Sequence, residues 1–184
     1  MGYLEPEGSR LGRIPEIKWL VNTIMERALT RGDYLLAGGA RSDYYIDKFR
    51  LFSDPAILRR IARLFAPIVA ETNPHLIAGT ELGGVILATA VSQMANIPMI
   101  VVRKAPKAYG AFAEEFVEGP YLAGQRVLLL EDVVSNGREV MAAKARLEAL
   151  KLEVTVYAVI NRGLAPIKSL VAFSLPRGDA KTDN

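Results

Sequence analysis

Apolar positions along the chain fall into two alternating rhythms. Between residue 15 and about residue 30, Ile17, Leu20, Val21, Ile24, Met25 and Ala28 recur three and four residues apart, which predicts a helix with Pro15 in its first turn. Trp19 lies on the same stripe, where packing is its expected role. A polar, glycine-bearing stretch, AGGARSD, then leads into an extended piece, YYID. Asp54 is placed to cap the next helix, with Pro55 at its first position and Ile57, Leu58, Ile61, Leu64, Phe65, Ile68 and Val69 as its apolar stripe. From there a strand–turn–helix rhythm takes over. Residues 75–78 predict a short buried strand, GTELGG a turn, residues 85–95 a helix and residues 98–102 a second strand. The segment RKAPKAYGAFAEEFVEG has no period, residues 127–130 predict a third strand, and a helix carrying Val140, Leu147 and Leu150 follows EDVVSNG. Residues 154–160 predict a further strand, and SLVAFSL is strand-like. The only histidine, His75, follows Pro74 at a strand start, where a structural role is expected.

Strands apolar at every position and alternating with helices imply an α/β fold, a mostly parallel twisted sheet flanked by helices. The reading is one domain over residues 1–184. Residues 1–50 hold the N-terminal helix and a small hood, residues 51–163 the α/β core, and residues 177–184 a frayed tail. In such sheets ligands bind beyond the carboxyl ends of the strands, where GTELGG, RKAPK and EDVVSNG all fall.

Composition narrows the chemistry. With no cysteine among 184 residues, disulfide frameworks, thiolate metal sites and cysteine nucleophiles are excluded, and one histidine leaves little for Ser-His-Asp catalysis. Lys plus Arg number 23 against 20 Asp plus Glu, a net +3 that gives no reason to expect nucleic acid as partner. MGYLEPEGSR lacks the basic start and apolar run of a signal peptide, and the apolar region 76–102 is broken by Glu81, Gln93, Asn96 and Pro98, so neither export nor a membrane span is expected. A cytoplasmic location is the expectation.

The loops carry the candidate chemistry. VLLLEDVVSNG delivers two adjacent acids, Glu131 and Asp132, to a strand end and then enters a helix start, where exposed N–H groups and the helix dipole favour phosphate. The paired acids suit sugar hydroxyls or a hydrated Mg²⁺; equally, they end a strand while Asn136 caps a helix. In VVRKAPKAYG, Arg103, Lys104 and Lys107 cluster before Gly110, which suits a pyrophosphate-bearing substrate, although a lone basic loop is more often simply solvated. No Walker-type loop occurs.

Four segments in register resemble the orotate phosphoribosyltransferase family of type I phosphoribosyltransferases: SDYYIDKFRLFSDPAIL, AGTELGGVILATAVS, VVRKAPKAYG and VLLLEDVVSNG. The resemblance runs from about residue 34 to residue 163. It implies transfer of the 5-phosphoribosyl group from phosphoribosyl pyrophosphate (PRPP) to orotate, giving orotidine 5′-monophosphate and pyrophosphate, with Mg²⁺ as cofactor held by PRPP and water rather than by side chains. Carried onto this chain, Glu131 and Asp132 would hold the ribose hydroxyls, and Val133, Val134, Ser135, Asn136, Gly137, Arg138 and Glu139 would line the 5′-phosphate. Arg103, Lys104 and Tyr109 would bind the pyrophosphate arm, and Lys107 would neutralise the leaving group, making it and Asp132 the catalytic pair. Thr80, Glu81, Gly83 and Gly84 would form the pyrophosphate loop. Arg162 would grip orotate, with Ser135 touching the base and Tyr45 and Ile46 flanking its ring. The family's mobile loop reaches into a neighbouring subunit, which implies a homodimer with shared sites.

The chain departs from the family pattern in its phosphate loop. Ser135-Asn136-Gly137-Arg138-Glu139 stands where T-T-G-G-[ST] is usual, so Glu139 brings a carboxylate to the place of a hydroxyl, and Asn136 with Glu139 has capping-box spacing. Ala37 and Tyr109 stand where lysine and histidine are common, and the stretch after NRG is short. Two other readings of these residues are a phosphoribosyltransferase for another base, which Arg162 disfavours, and a non-catalytic PRPP- or nucleotide-binding regulator, which Glu139 favours.

Overall fold

Residues 127–130 are apolar at every position and so need cover on both faces of the strand. The structure, a computed structural model describing residues 14–35, 39, 41–106, 115–163 and 165–173, supplies it. Strand β6 (Arg126–Val134) sends Leu128 and Leu130 into one layer of helices and Val127 and Leu129 into the other, the period of two that a pleated strand imposes. The first layer is built from α1 (Ile14–Thr23), α2 (Phe49–Phe52), α3 (Pro55–Leu64), α4 (Ala66–Thr72) and α5 (Gly83–Ala95). Helix α6 (Arg138–Ala149) covers the second face through Val140, Ala143 and Leu147.

The sheet is six-stranded. Strands β3 (Leu76–Thr80), β4 (Met99–Val102), β5 (Val117–Glu118), β6, β7 (Glu153–Asn161) and β8 (Ser169–Ala172) lie in the order β5-β4-β3-β6-β7-β8, all neighbours parallel except β4 and β5. From β3 the chain crosses by α5 to β4 on one side; from β6 it crosses by α6 to β7 on the other. The direction of winding therefore reverses between β3 and β6, and a crevice opens beyond their carboxyl ends.

The expected elements are present, except that the single helix expected from Pro55 through Val69 is broken at Phe65 into α3 and α4, with Pro67 in the first turn of α4, and with three further corrections. The first helix does not reach residue 30. It closes on a wide turn in which the Leu29 N–H donates to Ile24 O, and the chain passes at once into β1 (Leu29–Leu35). This strand pairs antiparallel with β2 (Arg41–Ile46), so the hood is a hairpin rather than a loop and one short extended piece. Second, β6 runs to Val134, not Leu130. Pairing with β3 stops at Gly79–Leu130, but pairing with β7 continues through Glu131–Ala158 to Val134–Asn161, so the two acids lie within a strand whose β3 side has opened. Third, no capping box forms. Gly137 (φ 78°) heads α6, Asn136 Oδ1 accepts from the Arg138 N–H, and Glu139 points elsewhere.

Asp54 caps α3 as expected, accepting from the N–H groups of Ala56 and Ile57 behind Pro55. Trp19 packs on the core with the Arg60 guanidinium 3.9 Å above its ring. His75 Nδ1 accepts from the Arg126 N–H, joining the starts of two strands. The frayed tail expected at residues 177–184 lies outside the described residues.

Candidate active site

Beyond the carboxyl ends of β3 and β6 the two acids meet different surroundings. Glu131 Oε2 accepts from Thr80 Oγ1 at 2.6 Å, and Oε1 from the Asp132 N–H at 3.2 Å. Burial, reinforced by the neighbouring Asp132 charge, raises the Glu131 carboxyl from an ordinary 4.5 to about 7. Asp132 is 4% exposed. Its Oδ1 accepts from the Val133 N–H, and its Oδ2 lies 3.1 Å from Lys48 Nζ.

The turn after β3 can pass this close only because it is built of glycine. A Cβ on Gly83 would fall 1.7 Å from Asp132 Oδ2, and one on Gly84 2.8 Å from both Leu130 O and Thr80 Oγ1. Thr80, Glu81, Gly83 and Gly84 are thus drawn against the acid pair, with the Glu81–Leu82 peptide cis. The Glu81 carboxylate turns towards β4: it accepts from the Lys104 N–H at 3.2 Å and lies 3.5 Å from Arg103 NH1. Arg103 is held on its other side by Glu118 at 3.5 Å. Lys104 reaches across the crevice to Glu139, Nζ to Oε2 2.7 Å, and both side chains are about 60% exposed (59% and 62%). Its ammonium is held above its ordinary value by Glu139 first, with contributions from Glu131 and Asp132.

Ser135, Asn136, Gly137, Arg138 and Glu139 form the turn into α6. A helix start leaves its first N–H groups without intrahelical acceptors, and here only that of Arg138 is taken by Asn136. Gly137 packs on the next loop, where a Cβ would meet Ile167 and Ala165 at 2.9 and 3.0 Å. Val133 and Val134 contribute backbone and packing: Val134 is 2% exposed, and its carbonyl accepts from the Arg162 N–H.

That bond sets Arg162 beside the turn into α6. Its guanidinium lies 4.1 Å from the Tyr44 ring centroid, with Nε donating to Tyr44 Oη at 3.0 Å and NH2 to Ser42 Oγ at 2.7 Å. It has no carboxylate partner among the described residues. Beneath it, the buried Asn161 amide donates to Ala165 O and Ile167 O and accepts from the Gly163 N–H, fixing the loop. Of the residues expected to flank a base, Tyr45 is 40% exposed and meets Tyr34 in a tilted ring contact, centroids 5.6 Å apart, whereas Ile46 is 4% exposed within the core. Lys107 and Tyr109 lie outside the described residues.

Sequence reasoning missed Ser42, Tyr44, Lys48 and Asn161. A signal for the first two was present: in the pleat of β2, Ser42, Tyr44 and Ile46 share a face opposite Tyr45. Nothing local marks Lys48, because its partner lies 84 residues on and is met only once the hood docks on the core.

Residues 50–170 match the phosphoribosyl transferase domain family. The chain is 38% identical over 144 residues to the orotate phosphoribosyltransferase of Thermococcus gammatolerans, covering 77% of this chain and 75% of that one. It is 36% identical over 145 residues to that of Methanocaldococcus jannaschii, covering 78% and 81%. The crystal structure of Mycobacterium tuberculosis orotate phosphoribosyltransferase superposes with a TM-score of 0.73 at 26% identity, over 87% of this chain and 98% of that one. With a crevice at the winding reversal, paired acids, a glycine turn and a helix start all in place, the chain belongs to the phosphoribosyl transferase domain family.

Proposed function

We propose that the chain is an orotate phosphoribosyltransferase, joining orotate to the ribose of PRPP and releasing pyrophosphate. The observation that carries the acceptor is Arg162. A guanidinium held by neutral partners, an aromatic face and two hydroxyls, keeps its charge for an anionic guest, and orotate is a base bearing a carboxylate. Its likeness to relatives named for orotate supports the same reading.

In this reading Glu131 and Asp132 accept from the ribose hydroxyls, and the N–H groups at the start of α6, with Arg138 beside them, take the 5′-phosphate. Orotate N1, its proton gone, forms a bond to C1′ while the C1′–O bond to pyrophosphate breaks and its electron pair leaves with the pyrophosphate. Positive charge grows on the ribose and negative charge on the departing group, so the fixed acids on one side and Arg103, Lys104 and Lys107 on the other lower the barrier. Glu81 and Glu118 aim Arg103, and the Lys107 loop serves a neighbouring subunit's site in a homodimer. Mg²⁺ would arrive with PRPP, held by the substrate and by water rather than by side chains. When bound it offsets charge on the leaving group. Cytoplasmic residence is part of the reading; no helix among the described residues is long and apolar enough to cross a membrane.

The test is turnover: purified protein with PRPP and Mg²⁺ should consume orotate, followed by ultraviolet absorbance, and should leave adenine and hypoxanthine untouched. Absence of turnover with orotate, with PRPP still bound, would favour the regulator, whose motivating observation is the Lys104–Glu139 pair across the phosphate turn.

A further inference from the structure

Lys48 lies within the segment SDYYIDKFRLFSDPAIL, where the family resemblance assigns it no role, yet it is the cation in contact with the more buried acid. It sits where β2 passes into α2, and the same short run of chain carries Ser42 and Tyr44, which hold Arg162. Asp132 is 4% exposed, and its charge would be costly there without a counter-ion. Lys48 Nζ lies 3.1 Å from Asp132 Oδ2, with a side chain 28% exposed, so its stem is packed while its ammonium reaches the crevice. Because Oδ1 is tied to the Val133 N–H and the Gly83 backbone crowds Oδ2, the ammonium completes a three-sided grip on the carboxylate.

Resting on the function proposed above, we infer that Lys48 is a positioning residue for phosphoribosyl transfer. It holds the Asp132 carboxylate in a single orientation, so that it accepts from a ribose hydroxyl of PRPP. Three other features bear on that charge. Glu131 on the same strand and Lys104 from the end of β4 are the charged groups, opposing and supporting it respectively, and Gly83 at the start of α5 presents backbone. Lys104 is already engaged by the exposed Glu139, so Lys48 is the principal counter-charge.

The experiment is calorimetric titration of the full chain with PRPP and Mg²⁺. Wild type is compared with Lys48→Met, Lys48→Gln and Lys48→Arg. With its cation removed, the Asp132 carboxylate is no longer fixed, so the Met variant should bind PRPP about 30-fold more weakly. The Gln variant should behave alike and stands in if the Met protein does not fold, while the Arg variant should restore most of the wild-type affinity. If wild type binds PRPP and the neutral variants match its affinity, or the Arg variant binds as weakly as they do, the positioning role is overturned and the function stands. If wild type binds no PRPP, the function falls and this inference falls with it.

Discussion

Two lysine–carboxylate pairs span the crevice, and on distance alone they look equivalent. Lys48 meets Asp132 at 3.1 Å at the end proposed for the ribose, and Lys104 meets Glu139 at 2.7 Å at the end proposed for the phosphate. Their surroundings separate them. Asp132 is a buried side chain pressed by a glycine backbone, whereas Lys104 and Glu139 are both about 60% exposed (59% and 62%). Water screens the second pair, and exposed pairs of this kind contribute about 0.2–1 kcal/mol; breaking a buried one leaves an uncompensated charge and costs about 3–5 kcal/mol. The shorter pair is therefore the weaker. An unexpected carboxylate in the turn into α6 matters less than its sequence position suggests, and a lysine to which the family resemblance assigns no role matters more.

The largest effect should come from striking the buried end without touching charge. In Gly83→Ala the new methyl would occupy the place of Asp132 Oδ2, which must swing away from Lys48 and from any ribose hydroxyl. PRPP affinity should fall about 100-fold or more by calorimetry, the loss of a charged hydrogen bond plus displacement of its partner. The protein should keep its far-ultraviolet circular dichroism, since α5 retains its packed Leu87, Ala88 and Val91. Affinity within about threefold of wild type would mean that the carboxylate is not held where the structure places it.

How much of this contrast was legible in the sequence follows from which contacts are local. The strand runs and the Asp54 cap announce themselves through period and spacing and stand as expected, whereas the single stripe of residues 57–69 hides the break at Phe65 that parts α3 from α4. The two acids were legible as residues but not in their placement: they read as a strand end because the apolar run stops at Leu130. In fact β7 continues to pair with β6 through Val134, and it is β3 that turns away. Tyr44 and Tyr45 are adjacent and chemically alike, and only the pleat of β2 decides which one lies against Arg162. Leu29 read as helix because the apolar stripe runs into it, whereas the closing turn and the pairing of Leu29 with Ile46 make it strand. Lys48 was the least legible, being defined entirely by what the fold brings opposite it.

Glu131 sharpens the contrast from beside the buried end, because it is half-buried next to the Asp132 charge and is raised to about 7, by desolvation first. A carboxyl whose folded value lies above its unfolded value, 4.5, contributes stability that is fully present below that unfolded value and is lost as pH rises through the folded one. Ligand-free wild type should therefore lose stability relative to Glu131→Gln between about pH 4.5 and pH 7. The variant should be the more stable protein at pH 8 by on the order of 2–3 kcal/mol, with the gap closing towards pH 4. Denaturant unfolding at pH 4, 6 and 8 measures this. Parallel curves for the two proteins would show that Glu131 reaches water and that the ribose end is less enclosed than its geometry indicates.

The smallest effect belongs to the exposed end. Glu139→Ser restores the hydroxyl usual in the family and frees Lys104 from its partner. A desolvated carboxylate against phosphate would weaken PRPP binding by orders of magnitude, and its removal would tighten the complex correspondingly. A side chain 62% exposed that already holds a lysine does neither. Loss of an exposed pair worth at most about 1 kcal/mol should tighten PRPP no more than about fivefold, and the gain should fade between low and high salt as screening takes over. A gain of about 100-fold in calorimetry, persisting in salt, would mean that Glu139 swings into the turn when phosphate arrives and that the two ends of the crevice are buried alike once substrate is bound.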